Sequence, residues 1–224
     1  MKNNVTELVF ILDMSGSMES LTADTIGGFN SMIEKQRAEE GEVLVSTVVF
    51  NDQSRVIHDR TPLSEVERLT NRDYTPQGST ALLDAVGGAI HHIGNIHKYA
   101  RPEDVPAKTL FVITTDGMEN SSRFYDIKRV KSMIERQQNK YGWEFIFLGA
   151  NIDAAETAGS MGIARENAVD YCCDSKGSGV LYNAVCKAVS FARMGRSCSE
   201  DSEWREELDE DFADRSGRRA TPRR

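Results

Sequence analysis

The feature that most constrains the fold is a regular alternation of short apolar runs with longer segments of helical periodicity. The first run, residues 5–12, becomes continuously apolar, which is typical of a buried central strand. The next segment, residues 22–37, places its apolar side chains on one helical face. Strands separated by helices of this length predict right-handed crossovers and a mostly parallel sheet. The predicted fold class is therefore α/β, an open three-layer α/β/α sandwich.

The same pattern continues along the chain and includes one antiparallel strand. Residues 43–50 and 54–58 are close enough to pair as a hairpin across the turn residues Asn51, Asp52 and Gln53, which places an antiparallel strand near an edge of the sheet. The remaining predicted strands are residues 108–114, 143–148 and 168–171. The remaining predicted helices are residues 80–98, 125–140, 154–161 and 180–194, the last after a turn at Gly177-Ser178-Gly179.

Length and composition indicate one domain followed by a tail. A chain of 224 residues with 39% apolar residues can bury a core without disulfides or a partner. The composition changes near residue 197: residues 200–214 hold nine acidic residues against one Arg, and residues 215–224 hold five Arg. Such charged blocks do not build a core. We therefore predict a single domain over residues 1–196 and a disordered charged tail over residues 197–224.

The charge and the cysteines exclude several classes of protein. A formal net charge of −8 argues against nucleic acid as the main partner. No apolar run approaches the ~20 residues of a membrane span, and the first residues lack the apolar core of a signal peptide. The four cysteines include no C-x-x-C pair, so reduced thiols are expected. We predict a cytoplasmic protein that binds neither nucleic acid nor membrane.

Three loops predicted to share one edge of the sheet carry an unusual set of oxygen-bearing side chains. The carboxyl ends of parallel strands meet at a single edge, which is where open α/β sheets bind ligands. Asp13, Ser15 and Ser17 directly follow the first strand. Thr80 ends a Gly-Ser-Thr sequence before the next long helix, and Asp116 follows the strand after that helix. We expect these side chains to lie together.

These residue types favour a hard divalent cation. Alternate residues of an extended loop can point the same way, and Gly16 allows a tight turn between them. Carboxylate and hydroxyl oxygens without His or Cys suit Mg²⁺, Mn²⁺ or Ca²⁺ rather than zinc. Two carboxylates, from Asp13 and Asp116, balance the charge of such an ion, which leaves it able to accept one more anionic oxygen. Helix capping is the alternative role for these serines, but capping does not explain why three loops meet at one edge.

At these residues the sequence resembles the von Willebrand factor A (vWA) domain family and its metal-ion-dependent adhesion site (MIDAS). Residues 10–18 look like the first strand and D-x-S-x-S motif of that family, and Gly78-Ser79-Thr80 and Thr115-Asp116-Gly117 match its second and third loops. The resemblance covers about residues 5–195 and implies a Rossmann-like sandwich that holds one Mg²⁺ or Mn²⁺, with Ca²⁺ less favoured. The metal ligands that it implies are Asp13, Ser15, Ser17, Thr80 and Asp116.

The resemblance also implies a function without catalysis. Members of the family bind protein partners that place an Asp or Glu carboxylate on the metal, so the chain is expected to be a metal-dependent binding module and not an enzyme. The absence of a signal segment is more similar to the stand-alone bacterial or phage members than to the secreted adhesion modules. An AAA+ ATPase or another component of a multi-protein assembly is the partner that this analogy suggests.

Two alternative functions share parts of this pattern. A phosphoryl-transfer enzyme of the haloacid-dehalogenase type would also end its first strand in an aspartate, here Asp13, and use Mg²⁺. That chemistry needs a second carboxylate two residues later as general acid, and Ser15 stands at that position. A nucleotide-binding Rossmann domain is less favoured because the turn after the first strand lacks G-x-G-x-x-G.

Some residues near the predicted site have both a functional and a structural interpretation. Asp24, Asp52 and Glu119 are candidate acids at the rim of the metal site, or ordinary solvated loop carboxylates. Cys172 and Cys173 follow a predicted strand, where cysteines are usually small buried apolar residues. A redox switch at this pair is the alternative.

Overall fold

The computed structural model describes residues 4–216, which form six strands and six α-helices. The strands are β1 (Thr6–Asp13), β2 (Val43–Phe50), β3 (Ser54–Pro62), β4 (Lys108–Thr115), β5 (Glu144–Gly149) and β6 (Ala168–Asp170). The helices are α1 (Thr22–Arg37), α2 (Leu82–Tyr99), α3 (Ile127–Tyr141), α4 (Ala154–Ser160), α5 (Ser175–Arg193) and α6 (Glu206–Ser216). Among the short 3-10 segments are Gly16–Leu21 and Glu203–Arg205.

The strands make one sheet in the order β3-β2-β1-β4-β5-β6. All neighbouring pairs are parallel except β2 and β3, which are antiparallel, so β3 is the antiparallel edge strand. The predicted fold class, an α/β sandwich with a mostly parallel sheet, is confirmed. The strand order reverses between β1 and β4, and such a reversal opens a crevice at the carboxyl ends of the strands.

The sheet separates two apolar cores. Successive residues of β1 point to opposite faces. Phe10 packs with Phe29 of α1 in one core, and Ile11 belongs to the other core together with Val86 of α2 and Ile134 of α3. Every residue of β1 is buried, because helices cover both faces. Among residues 4–216, no helix is long and apolar enough to cross a membrane.

The last long helix, α5, begins earlier than the sequence predicts. It starts at Ser175 and includes Gly177-Ser178-Gly179, so the predicted turn at these residues is wrong. Glycine disfavours helix, but the Asp174 side chain accepts a hydrogen bond of 2.8 Å from the Gly177 N–H and caps the first turn. A Cβ at Gly177 would lie 1.9 Å from the carbonyl oxygen of Cys172. Position 177 therefore requires glycine, because the backbone of Cys172 lies too close to leave room for a side chain.

The charged C-terminal segment is not a disordered tail over its described part. The side chains of Trp204 and Leu208 are fully buried in the core that α5 covers, and the Trp204 indole donates a hydrogen bond of 3.1 Å to the carbonyl of Cys198. The prediction of disorder is therefore wrong for residues 197–216, where two apolar side chains fix an otherwise acidic segment. The rest of the predicted tail, residues 217–224, lies outside the described residues.

Candidate metal centre

The sheet register brings the ends of β1 and β4 together. Leu12 pairs with Thr114 in the parallel β1–β4 ladder, so the two strands end side by side. Asp13 is the last residue of β1, and Asp116 directly follows the last residue of β4. The two carboxylates therefore enter the crevice from adjacent strands, at the point where the strand order reverses.

Backbone hydrogen bonds join the three loops at this edge. The N–H of Gly16, in the first loop, donates to the carbonyl of Gly78 in the second loop at 3.1 Å. Thr80 and Asn120 then join the second loop to the third: the N–H of Asn120 donates to the Thr80 carbonyl at 3.0 Å, and the Asn120 side-chain oxygen accepts from the Thr80 N–H at 2.9 Å. These bonds fix the loops relative to one another.

Four of the five predicted ligands form a continuous hydrogen-bond network. The hydroxyl oxygens of Ser15 and Ser17 are 3.1 Å apart, and the Ser17 hydroxyl donates to Asp116 Oδ1 at 2.6 Å. Asp13 Oδ1 accepts from the Ser15 N–H at 2.7 Å. Asp13 Oδ2 accepts from the hydroxyl of Thr115 at 2.6 Å. The network connects oxygens of the first and third loops into one polar cluster.

Thr80, the fifth predicted ligand, is placed beside the third loop. Its side chain is buried, and a Cβ at Gly117 would lie 3.6 Å from the Thr80 hydroxyl oxygen. Because Gly117 directly follows Asp116, the Thr80 hydroxyl lies close to the segment that carries the Asp116 carboxylate, just after β4. The structure thus brings the five residues to the same edge of the sheet. Hydrogen bonds connect four of them, and Thr80 lies beside them next to Gly117.

The electrostatics of the cluster suit a cation. Asp13 and Asp116 are 1% and 4% exposed, and neither takes part in an ion pair within residues 4–216. Burial raises the pKa of the Asp13 carboxyl, the hydrogen bonds from Thr115 and Ser15 oppose this shift, and the nearby charge of Asp116 adds to it. Buried carboxylates without a cation are costly, and a divalent ion would remove that cost.

The donor set fits a hard ion that uses hydroxyl ligands. No cluster of three or more His, Cys, Asp or Glu side chains suited to a metal occurs in residues 4–216. A metal at this edge would therefore depend on two carboxylates supplemented by the hydroxyls of Ser15, Ser17 and Thr80. Oxygen-only sites of this kind prefer Mg²⁺, Mn²⁺ or Ca²⁺.

Three further residues contact the site without having been predicted from the sequence. Thr115 donates to Asp13, and its position directly before Asp116 is a signal that could have identified it. The hydroxyl of Tyr74 donates to the Asp13 backbone carbonyl. The Cys173 sulfur lies 3.9 Å from Asp116 Oδ2, and burial, followed by the charge of Asp116, raises the pKa of the thiol. Tyr74 lies shortly before the second loop and Cys173 shortly after β6, but the sequence alone does not show that they contact Asp13 and Asp116.

Two of the three candidate rim acids, Glu119 and Asp24, have hydrogen-bond partners within the protein. Glu119 accepts a hydrogen bond of 2.9 Å from the backbone N–H of Leu83 and two more from the N–H groups of residues 121–122, so it ties the third loop to the start of α2. Asp24 accepts from the Ser175 hydroxyl at 2.7 Å. Glu119 therefore shapes the loop, and Asp24 links α1 to α5.

Solved structures of the same fold resemble this chain, although its sequence matches no protein-family model and no curated protein. Proximal thread matrix protein 1 from the mussel byssus matches with a TM-score of 0.56 and 14% identity, over 84% of this chain and 47% of that one. The D319A mutant of the PilB minor pilin from Streptococcus sanguinis matches with a TM-score of 0.58 and 12% identity, over 88% and 64%. The chain thus spans about half to two thirds of the length of these proteins.

A third structure, the manganese-loaded TRAP protein of Plasmodium vivax, matches with a TM-score of 0.54 and 15% identity, over 81% of this chain and 73% of that one. A further structure of the mussel protein is described as having a zinc-occupied MIDAS motif. At these identities the likeness establishes the fold alone. The chain has the vWA-type, Rossmann-like sandwich.

Proposed function

We propose that the protein is a metal-dependent protein-binding module. Asp13, Ser15 and Ser17 would ligate Mg²⁺ or Mn²⁺ directly, and Thr80 and Asp116 directly or through one water. The observation that carries this proposal is the pair of buried carboxylates at the reversal of the strand order. They are joined through the Ser15 N–H and the hydroxyls of Ser15 and Ser17, and they have no ion-pair partner in the described residues. This arrangement costs free energy in the absence of a cation, and a cation makes it favourable.

The cluster is open on one side. Ser17 and Gly16 are exposed, whereas Asp13, Ser15 and Thr80 are buried. A metal held here would act as a Lewis acid that accepts one more oxygen ligand from the exposed side. The neutral hydroxyls of Ser15, Ser17 and Thr80 preserve the positive charge available to that ligand. An Asp or Glu carboxylate of a protein partner fits this position, and the three loops contain no His that could act as a general base.

The solved structures support a divalent cation in general terms. One of them is described as manganese-loaded and another as having a zinc-occupied MIDAS motif. For this chain we favour Mg²⁺ or Mn²⁺ over zinc because all five donors are oxygens, and over Ca²⁺ because only two of them are carboxylates. A cytoplasmic location in a bacterium and an assembly component such as an AAA+ ATPase as partner are parts of the proposal that rest on family analogy.

Metal-dependent capture of partners tests the proposal. Wild-type protein on a solid support is expected to retain specific proteins from an extract of its native host in Mg²⁺, and to lose them in EDTA. An Asp13→Asn bait is expected to retain none of these proteins in either buffer, because it lacks the charge that holds the ion. Asp24→Asn, a change in a carboxylate whose described partner is Ser175 of α5, is the matched control and should behave as wild type.

Two results would contradict the proposal. Retention of the same proteins in Mg²⁺ and in EDTA would show that binding does not require the metal. Mg²⁺-dependent hydrolysis of p-nitrophenyl phosphate that Asp13→Asn abolishes would instead indicate a phosphoryl-transfer enzyme. Such hydrolysis is not expected, because Ser15 cannot protonate a leaving group at neutral pH.

A further inference from the structure

A cavity adjoins the metal cluster at the same edge of the sheet. It has a volume of about 660 Å³ and is lined by three segments: residues 151–153 after β5, residues 171–173 after β6, and Phe212 and Ser216 of α6. The Cys173 sulfur lies 3.9 Å from Asp116 Oδ2 and so connects the cavity to the candidate metal centre. The cavity is therefore a direct neighbour of the metal cluster, although none of the five candidate ligands lines it.

The lining of the cavity favours a cationic ligand. Among the described residues that line it, Asp153 is the only charged one. Asp153 is exposed, and its Oδ1 accepts a hydrogen bond of 2.8 Å from the Glu156 N–H, which caps α4. The half-buried ring of Phe212 supplies an aromatic surface in the same cavity. A carboxylate together with an aromatic face suits a guanidinium group, which can pair with the first and stack on the second.

Two basic side chains near the cavity are already paired with acids. Arg215 of α6 binds the carboxylates of Asp174 and Asp211, and Lys176 of α5 binds Asp211 at 2.6 Å. These two positive and two negative charges balance one another. The negative charge of Asp153 is therefore not compensated by this group of residues.

The described part of the chain ends at this cavity. The buried Trp204 and the ion pair between Arg215 and Asp174 hold α6 in place. Ser216, the last residue of α6 and the last described residue, is exposed and lines the cavity. Residues 217–224 follow it and contain four arginines and no acidic residue. The first of these arginines comes two residues after Ser216, and two residues of extended chain span up to about 7 Å, so it can reach the cavity.

We propose that residues 217–224 are the ligand of this cavity and that one of their arginines pairs with Asp153. The guanidinium group binds the Asp153 carboxylate, and the apolar stem of the arginine packs against Phe212. An ion pair at an exposed carboxylate is weak between separate molecules. Here the segment is attached to Ser216, and attachment raises its local concentration to the order of millimolar. The contact needs no metal, so this inference goes beyond the proposed function and does not depend on it.

The native cysteines report whether the cavity is occupied in the full chain. Alkylation by iodoacetamide in EDTA is followed for each cysteine by mass spectrometry, in wild type and in a variant whose four arginines within residues 217–224 are replaced by Gln, called the glutamine variant. We expect Cys172 and Cys173, which line the cavity, to react at least about threefold more slowly in wild type. Cys186, a half-buried cysteine of α5 outside the cavity, is the internal control and should react equally in both proteins. In about 1 M salt, which shortens the Debye length to about 3 Å, the difference should disappear.

A peptide with the sequence of residues 217–224 tests the role of Asp153. The labelled peptide is titrated into the glutamine variant at low salt in EDTA, and its fluorescence anisotropy is measured. We expect saturable binding that Asp153→Asn weakens about fivefold, because one charge-assisted pair is lost. Asn caps a helix as well as Asp does, so α4 is preserved. Asp126→Asn is the matched control: Asp126 is an exposed cap of α3 that accepts 2.8 Å from the Arg129 N–H, it does not line the cavity, and its replacement should leave the affinity unchanged.

Three results would overturn the proposal. Equal alkylation of Cys172 and Cys173 in wild type and in the glutamine variant would show that the segment does not cover the cavity. Peptide binding that Asp153→Asn leaves unchanged, or the absence of saturable binding, would show that the arginines do not use this carboxylate. Protection of the two cysteines that is lost when the wild-type protein is diluted would assign the segment to the cavity of a second copy of the chain.

Discussion

Asp13→Asn is expected to remove binding of Mg²⁺ and Mn²⁺ while making the metal-free protein more resistant to heat at neutral pH. Replacing even an outer partner of a metal ligand typically costs 10–100-fold in affinity, so the loss of a direct carboxylate ligand should cost at least about 100-fold. The substitution is nearly isosteric. The amide oxygen of the new side chain can accept from the Ser15 N–H, and its amino group can donate to the Thr115 hydroxyl, which in turn can donate to the Gly117 carbonyl 3.1 Å away.

The gain in stability follows from the pKa of Asp13. Burial, the largest influence, raises this pKa in the folded chain. The contribution of the group to stability is therefore fully present below its pKa in the unfolded chain, about 3.9, and is lost as the pH rises through the folded value. At pH 7 without metal, burial of the Asp13 carboxyl group disfavours its ionised form and so lowers the stability of the folded wild type, a cost that the variant lacks. The difference in melting temperature in favour of Asp13→Asn should shrink as the pH is lowered towards 4.

Calorimetric titration with Mn²⁺ and thermal unfolding with Mg²⁺ or EDTA check both parts of this prediction. At a concentration 100 times its Kd, a metal that binds only the folded state stabilises it by about 2.7 kcal/mol, so wild type should melt at a higher temperature in Mg²⁺ and the variant should not. Asp24→Asn should keep wild-type affinity. An Asp13→Asn protein that binds Mn²⁺ as tightly as wild type would show that Asp13 is not a ligand.

Trp204→Ala is expected to destabilise the fold strongly although Trp204 lies in the acidic C-terminal segment. The side chain is fully buried and its indole N–H is bonded to the Cys198 carbonyl. Removing a buried Trp costs about 3–5 kcal/mol, and for a domain of this size each kcal/mol corresponds to about 2–4 °C, so the melting temperature should fall by roughly 6–20 °C.

Thermal unfolding of the variant in EDTA, which excludes any effect of metal, is the measurement. Tyr99→Ala is the control, since an exposed side chain should change stability by no more than about 0.5 kcal/mol. If Trp204→Ala does not fold, Trp204→Phe retains most of the volume and should lose about 1 kcal/mol for the missing hydrogen bond. An unchanged melting temperature in either variant would contradict the packing of residues 203–216 against α5.

The sheet, and the meeting of the candidate site residues at one of its edges, were predictable because their signals are local. The continuous apolar run of β1 indicates a strand that is buried on both faces. Asp13 and Asp116 stand at or directly after the ends of parallel strands, which places both at one edge of the sheet. This prediction did not require knowing which strands are neighbours, because the carboxyl ends of all parallel strands lie at the same edge of a sheet.

The features that were missed depend on tertiary contacts. Two fully buried apolar side chains, Trp204 and Leu208, pack the charged segment against the core, and the many acidic residues around them mask this signal in the composition. The first turn of α5 was missed because Gly177 disfavours helix, whereas the close approach of Cys172 requires glycine there. Tyr74 lies shortly before the second loop and Cys173 shortly after β6, but their contacts with Asp13 and Asp116 depend on how these segments pack in the folded chain.

A crystal structure of the wild-type protein soaked in Mn²⁺, with data collected at the manganese absorption edge, tests the central claim most directly. We expect one strong anomalous peak at bonding distance, about 2.2 Å, from oxygens of Asp13, Ser15 and Ser17. Thr80 and Asp116 should contact the ion directly or through a water, and one coordination position should be open towards Ser17. A peak elsewhere on the protein, or no peak at saturating Mn²⁺, would contradict it.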